Sequence, residues 1–173
     1  MATKGIDFAK LNLRDALDLA VLIEEEARDR YEELAEQLEV HHTPAAAVFF
    51  RKMVRVEEIH RSELEKRREQ LFGKSPVMVS RAAIFDIEAP EYDVVRASMT
   101  PFEALEAAMK SEVKAHDFFA AVVPRVSDPE VKKLFEELRL EEVEHQQWLK
   151  VEMQKTPAVK DVPGDQSDGP NEQ

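Results

Sequence analysis

The 173-residue chain contains no cysteine. That removes disulfide frameworks, zinc ribbons, iron–sulfur clusters and thiol nucleophiles together, and leaves only oxygen and imidazole donors for any metal. Long apolar runs are missing as well. The longest, Ala45 to Phe50, is far too short to span a bilayer, and the segment Met1 to Asp7 lacks the apolar centre of a signal peptide. Basic residues are outnumbered, with 24 Lys and Arg against 36 Asp and Glu, and a formal charge of -12 disfavours a nucleic-acid-binding surface. The expectation is one soluble, cytoplasmic domain that engages neither nucleic acid nor membrane.

Glycine is scarce, at four residues, while Glu, Ala, Leu, Lys and Arg are abundant. This is the composition of long helices, and the prolines punctuate them. Thr43-Pro44, Thr100-Pro101 and Asp128-Pro129 each put a good N-cap residue before a proline at the first helical position, where its missing N–H is no loss. Glu103 completes a capping box with Thr100; Glu130 does so with Ser127, although Asp128 competes for that cap. Asn12, with Asp15 three residues on, marks a weaker start.

Four helices follow: Leu13 to about Val40, Pro44 to about Phe72, Pro101 to about Val123, and Pro129 to about Gln154. Gly73 stops the second and Pro124 the third. Short links make the first and second helices one antiparallel hairpin, and the third and fourth another. The stretch from Gly73 to Met99 is too long for a simple turn, so an all-α four-helix bundle with one long crossover is expected. Residues 1–155 form this domain, and 156–173 read as a disordered tail with little to bury.

The core-facing stripes, at alternating spacings of three and four, are each interrupted near the middle by a carboxylate. They run Ala20, Glu24, Ala27, Tyr31, Leu34, Leu38; then Phe49, Met53, Glu57, His60, Leu64. The third is Leu105, Ala108, Glu112, Ala115, Phe119, Val122, and the fourth Val131, Leu134, Leu138, Glu142, His145, Leu149. Glu24 and Glu112 stand equally far from their helix starts, as do Glu57 and Glu142, so the two hairpins form an internal repeat. A pseudo-two-fold axis brings all six polar groups to one layer.

Four buried carboxylates are costly unless neutralised, and two divalent cations balance them. One Glu from each of two helices plus Glu-x-x-His from the other two is the pattern of ferritin-like di-iron and di-manganese proteins. On these residues the chain resembles the ferritin-like superfamily, and within it the rubrerythrin branch, from Asn12 to about Gln154. The resemblance implies that Glu24 and Glu112 are terminal carboxylate ligands, Glu57 and Glu142 bridging ones, and His60 and His145 imidazole ligands. It also implies that Tyr31 is a hydrogen-bonding group behind the ligands. Two departures stand out. The rubredoxin-like domain with four cysteines is missing, so electrons come from another protein or from ferrous iron itself. The family's extra Glu, three residues after the third-helix ligand, is Ala115 here, which places the peroxidase cycle in doubt and brings the set closer to bacterioferritin-like centres.

Glu39-x-x-His42 reads as a chance match at a frayed helix end. Glu25, Glu26, Glu58, Glu141 and Glu144 fall off the stripe and read as solvated surface, with Glu141 able to orient a ligand histidine. His116 is flanking, either surface or behind the ligands, while Trp148 and Phe49-Phe50 belong to the core or a dimer interface. Carboxylate and imidazole suit Fe, Mn or Zn, of which Fe and Mn give redox turnover. The expectation is a homodimeric oxidoreductase with two irons per bundle and no catalytic residue beyond the ligands. It would reduce hydrogen peroxide or O2 with an external electron donor, and ferrous oxidation is a related activity. The alternatives are an iron-binding or storage protein without turnover, a bundle using Mn or Zn, and a metal-free helical module.

Overall fold

Helix α1 (Leu13–Val40) starts where the Asn12 side chain accepts from the Asp15 amide, and Asp15 in turn accepts from Asn12 Nδ2 at 2.8 Å. Helix α2 (Pro44–Phe72) ends at Gly73, whose φ of +62° a side chain would strain. Helix α3 (Pro101–Val122) carries the full Thr100/Glu103 capping box and passes into a 3-10 turn at Val123–Arg125 around Pro124. Helix α4 (Pro129–Lys155) is capped by Asp128, which accepts from the Glu130 and Val131 amides and so takes the cap from Ser127. Thr43 departs from expectation. Its hydroxyl makes no cap bond and donates to the Leu38 carbonyl at 3.1 Å, tying the end of α1 to the start of α2.

The computed structural model describes residues 6–41, 43–81, 84, 87–90 and 99–158, and among these there is no strand. The expected tail falls almost wholly outside the described residues, as does His42. Glu39, its sequence partner, is occupied by Arg51 through two contacts of 3.0 and 3.1 Å. Among the described residues, no helix is long and apolar enough to cross a membrane.

Helix α1 packs mainly on α2 and α3 mainly on α4. Two apolar cores fill the bundle. One gathers Leu17, Ala20 and Ile23 of α1, Leu64 of α2, Phe119 and Val122 of α3, and Val131 and Leu138 of α4. The other gathers Tyr31 and Leu38 of α1, Phe50 and Met53 of α2, Leu105 and Ala108 of α3, and Leu149 of α4. The start of α1 therefore lies with the end of α2, the end of α3 and the start of α4. Helices α2 and α3 run the same way, so the chain between them must return along the full bundle. Ile84 and Ile87 on that return belong to the first core and Met99 to the second.

The crossover changes the surface of α1. Arg30 is buried and donates to the Pro90 carbonyl at 2.6 Å. Glu26, one turn earlier and expected on a solvated face, is likewise buried at 7% exposure. The expectation fails there because helical periodicity carries no information about a non-helical segment lying against the outer face.

Candidate metal centre

Between the two cores, every helix contributes its interrupting residues to one polar layer. Glu24, Glu57, Glu112 and Glu142 are all buried, and the imidazoles of His60 and His145 are the layer's more accessible members, their side chains 22% and 15% exposed. Glu24, Glu57 and His60 offer one ligand atom each within 4.8 Å of one another, and so do Glu112, Glu142 and His145. The structure thus brings the six sequence-predicted ligands together as two trios, one per hairpin. The imidazoles turn Nδ1 inward. His60 Nδ1 lies 3.9 Å from Glu24 and 3.8 Å from Glu57, and His145 Nδ1 lies 2.9 Å from Glu112 and 3.7 Å from Glu142.

Glu112 is held at three points. Tyr31 donates its hydroxyl to Oε1 at 3.3 Å, His145 meets Oε2, and Gln146 donates to the backbone carbonyl at 3.2 Å. Tyr31 thus reaches one of the sequence-predicted ligands through its hydroxyl. Burial, followed by the charges of Glu112 and Glu57, raises its pKa well above the usual phenol value, so it remains a donor. His116 is directed elsewhere. Its Nε2 accepts from Arg139 at 3.3 Å, since guanidinium only donates, which leaves Nδ1–H to donate to Asp117 at 3.1 Å. Glu141 is exposed and makes no hydrogen bond to His145 among the described residues. Glu25, Glu58 and Glu144 lie outside the layer; Glu58 is held to about 2 by hydrogen bonds from Arg61 and Arg28.

The layer contains a carboxylate that helical periodicity misses. Glu88, on the crossover, is 1% exposed and lies with Glu57 and Glu112 in a third group of ligand atoms within 4.8 Å. No motif marks it; the available signal is an acidic residue set among Ile84, Ile87 and Ala89 in a long connection. Position 115, three residues after Glu112 on α3, is a fully buried alanine.

Burial, followed by the charge of Glu88, raises the pKa values of Glu24, Glu57 and Glu142 well above the ordinary carboxylate range. Glu88 itself is pushed up to about 8, by burial and then by the Glu112 charge. Burial and the His145 charge lower His60. Burial also works against His145, but its hydrogen bond to Glu112 and that residue's charge outweigh it and raise the pKa.

Among the described residues, six buried carboxylate oxygens have no hydrogen-bond partner: one each on Glu24 and Glu142 and both on Glu57 and on Glu88. Orphaned acceptors at this density are far outside the usual pattern of protein interiors, where buried polar atoms are paired. Cations with a preference for oxygen and imidazole supply what these atoms lack, so the residues fit a pair of metal ions.

A rubrerythrin family model matches residues 15–153. An uncharacterised conserved protein from Magnetospirillum magnetotacticum MS-1 is 30% identical and superposes with a TM-score of 0.64, over 88% of this chain and all of that one. A bacterioferritin from Rhodobacter capsulatus is 20% identical with a TM-score of 0.54, over 82% of this chain and 83% of that one, a likeness of fold. No curated protein matches the sequence. With a ferritin-like bundle, a Glu/His layer suited to metal and a family match over most of its length, the chain belongs to the rubrerythrin family.

Proposed function

We propose that the protein is a di-iron carboxylate oxidoreductase that reduces hydrogen peroxide or O2, with ferrous oxidation as a related activity and electrons restored by an external donor. The observation that carries this reading is the layer of orphaned carboxylate oxygens flanked by two inward-facing imidazole Nδ1 atoms. Glu24, Glu57 and His60 would hold one ion and Glu112, Glu142 and His145 the other, with Mn or Zn as competing occupants. Held by these residues, a pair of ferrous ions would supply redox chemistry, two electrons being the number that converts one hydrogen peroxide and two protons into two waters.

The chain's own groups prepare the site for that task. The lowered His60 pKa leaves its imidazole neutral at physiological pH, with a lone pair available to a cation. Tyr31 keeps its proton and fixes the rotamer of Glu112. Apolar cores lie on both sides of the layer, and the partly exposed imidazoles of His60 and His145 are its most accessible ligands.

The test is metal analysis of protein purified without added metal, then anaerobic ferrous loading and mixing with peroxide or O2. About two irons per chain that develop ferric absorption with either oxidant support the reading, and the faster oxidant identifies the substrate. Failure to take up iron overturns it. Sedimentation separates an enzyme from a store, because the homodimer expected of the enzyme sediments as a small oligomer and storage needs a hollow cage.

A further inference from the structure

We propose that Glu88 is a seventh metal-ligating residue, supplied by the crossover between α2 and α3, so that metal binding fastens the crossover to the bundle. The proposal rests on the layer being a metal centre, and extends it to a residue outside the four helices. Three independent features of the structure place Glu88 there.

The first is its position between the trios. Its carboxylate groups with Glu57 of one trio and Glu112 of the other, which sets it between the two candidate metal positions. The second is that both its oxygens are buried without a hydrogen-bond partner, although the residue is 1% exposed. A buried carboxylate that only filled space would leave two strong acceptors unsatisfied, at a cost in stability that Ile or Leu would avoid. The third is that the backbone around it is anchored. Lys114 of α3 donates to the Ala89 carbonyl at 2.7 Å and Arg30 of α1 to the Pro90 carbonyl at 2.6 Å, while Ile84 and Ile87 pack in the first core. Cationic side chains from both hairpins thus hold the segment, and Glu88 follows Ile87 into the gap.

The topology gives the reason for this placement. The crossover must travel from the first core to the second, and the metal layer lies between them. A carboxylate near the middle of that path arrives at the layer, and a metal bound to it connects the crossover to all four helices. Metal occupancy is then reported at the surface of the bundle through the segment that lies on it.

The test uses the full-length chain, its Glu88→Gln variant and a Glu144→Gln control, titrated with Co2+ or Zn2+ against a chelator. Hydrogen exchange at the Ile87, Glu88 and Ala89 amides is measured with and without metal. We expect the wild type and the control to bind about two ions and to gain protection at these amides. Glu88→Gln should bind about tenfold or more weakly and gain little protection, with unchanged helical circular dichroism. If Glu88→Gln proves unfolded, Glu88→Asp, which keeps the charge and withdraws it by one methylene, is expected to show the same weakening. Equal affinity, or equal protection, in variant and wild type overturns the proposal and leaves the six-residue centre intact. Absence of binding in the wild type overturns both.

Discussion

The imidazoles of His60 and His145 lie face to face, with ring centroids 4.8 Å apart and planes 4° from parallel. Two cationic rings at that distance repel, so one proton at this pair disfavours a second. The surroundings break the tie. His145 has the Glu112 carboxylate at 2.9 Å and a raised pKa, whereas His60 is lowered by burial and by His145 itself. In metal-free protein, NMR titration of the ring protons should show His145 charging first as pH falls and His60 only at lower pH. Zinc should remove both titrations, since a bound cation replaces the proton at Nδ1. Titration in the reverse order would contradict the assigned roles.

The carboxylate layer sets a pH dependence on the metal-free fold. Below the ordinary value of 4.5, Glu24, Glu57, Glu88 and Glu142 are protonated in both states and contribute no penalty. Between 4.5 and about 8 the unfolded chain has released protons that the native Glu88 retains, so stability falls as pH rises, and this share of the loss is complete above about 8. Glu24, Glu57 and Glu142 act in the same direction. Glu58, held to about 2, stays ionised from pH 5.5 to 7.5, so its surface pairs with Arg61 and Arg28 do not offset the trend. Metal-free protein should melt at a higher temperature at pH 5.5 than at pH 7.5, and a divalent metal at pH 7.5 should restore or exceed the difference. Calorimetry at the two pH values, with and without Zn2+, checks this.

Tyr31→Phe deletes a hydroxyl that is fully buried against Glu112 Oε1. The loss should cost about 1–3 kcal/mol in urea unfolding, because the acceptor left behind has no water to replace its partner. Metal stoichiometry should persist, since the hydroxyl supports a ligand without being one. Loss of one ion from the variant would assign Tyr31 a direct role instead.

Arg68 and Asp18 form a buried pair at 2.6 Å that links α2 to α1. Arg68 also donates to the Gly73 and Ser75 carbonyls at 2.9 and 2.7 Å, holding the start of the crossover. Arg68→Met should destabilise by about 3–5 kcal/mol, because it strands the Asp18 charge, and a second change, Asp18→Leu, should recover much of that. Urea denaturation of the single and double variants measures the coupling.

Much of the bundle follows from local chemistry. Proline at a first helical position, a side chain accepting the third amide and a glycine at positive φ act within one turn, so the ends of α1 to α4 could be read along the chain. The six-residue layer was legible for a similar reason. A helix converts spacing into direction, and Glu24, Glu57, His60, Glu112, Glu142 and His145 interrupt apolar stripes at matching depths. Thr43 shows the limit even there, for its hydroxyl chose the Leu38 carbonyl, which only the approach of two helix ends brings within reach.

By itself, then, the sequence determined the helices, their pairing into hairpins, the need for a crossover and the six polar groups turned into the core, because each depends on residues within a few turns of one another. Tertiary structure alone decided that Glu88 joins those six, that Glu26 and Arg30 are covered, and that Asp18 meets Arg68. These outcomes depend on where a segment without helical period lies across the bundle. Its path is set by the distance between the end of α2 and the start of α3 and by the cores packed on either side, relations between parts of the chain far apart in sequence.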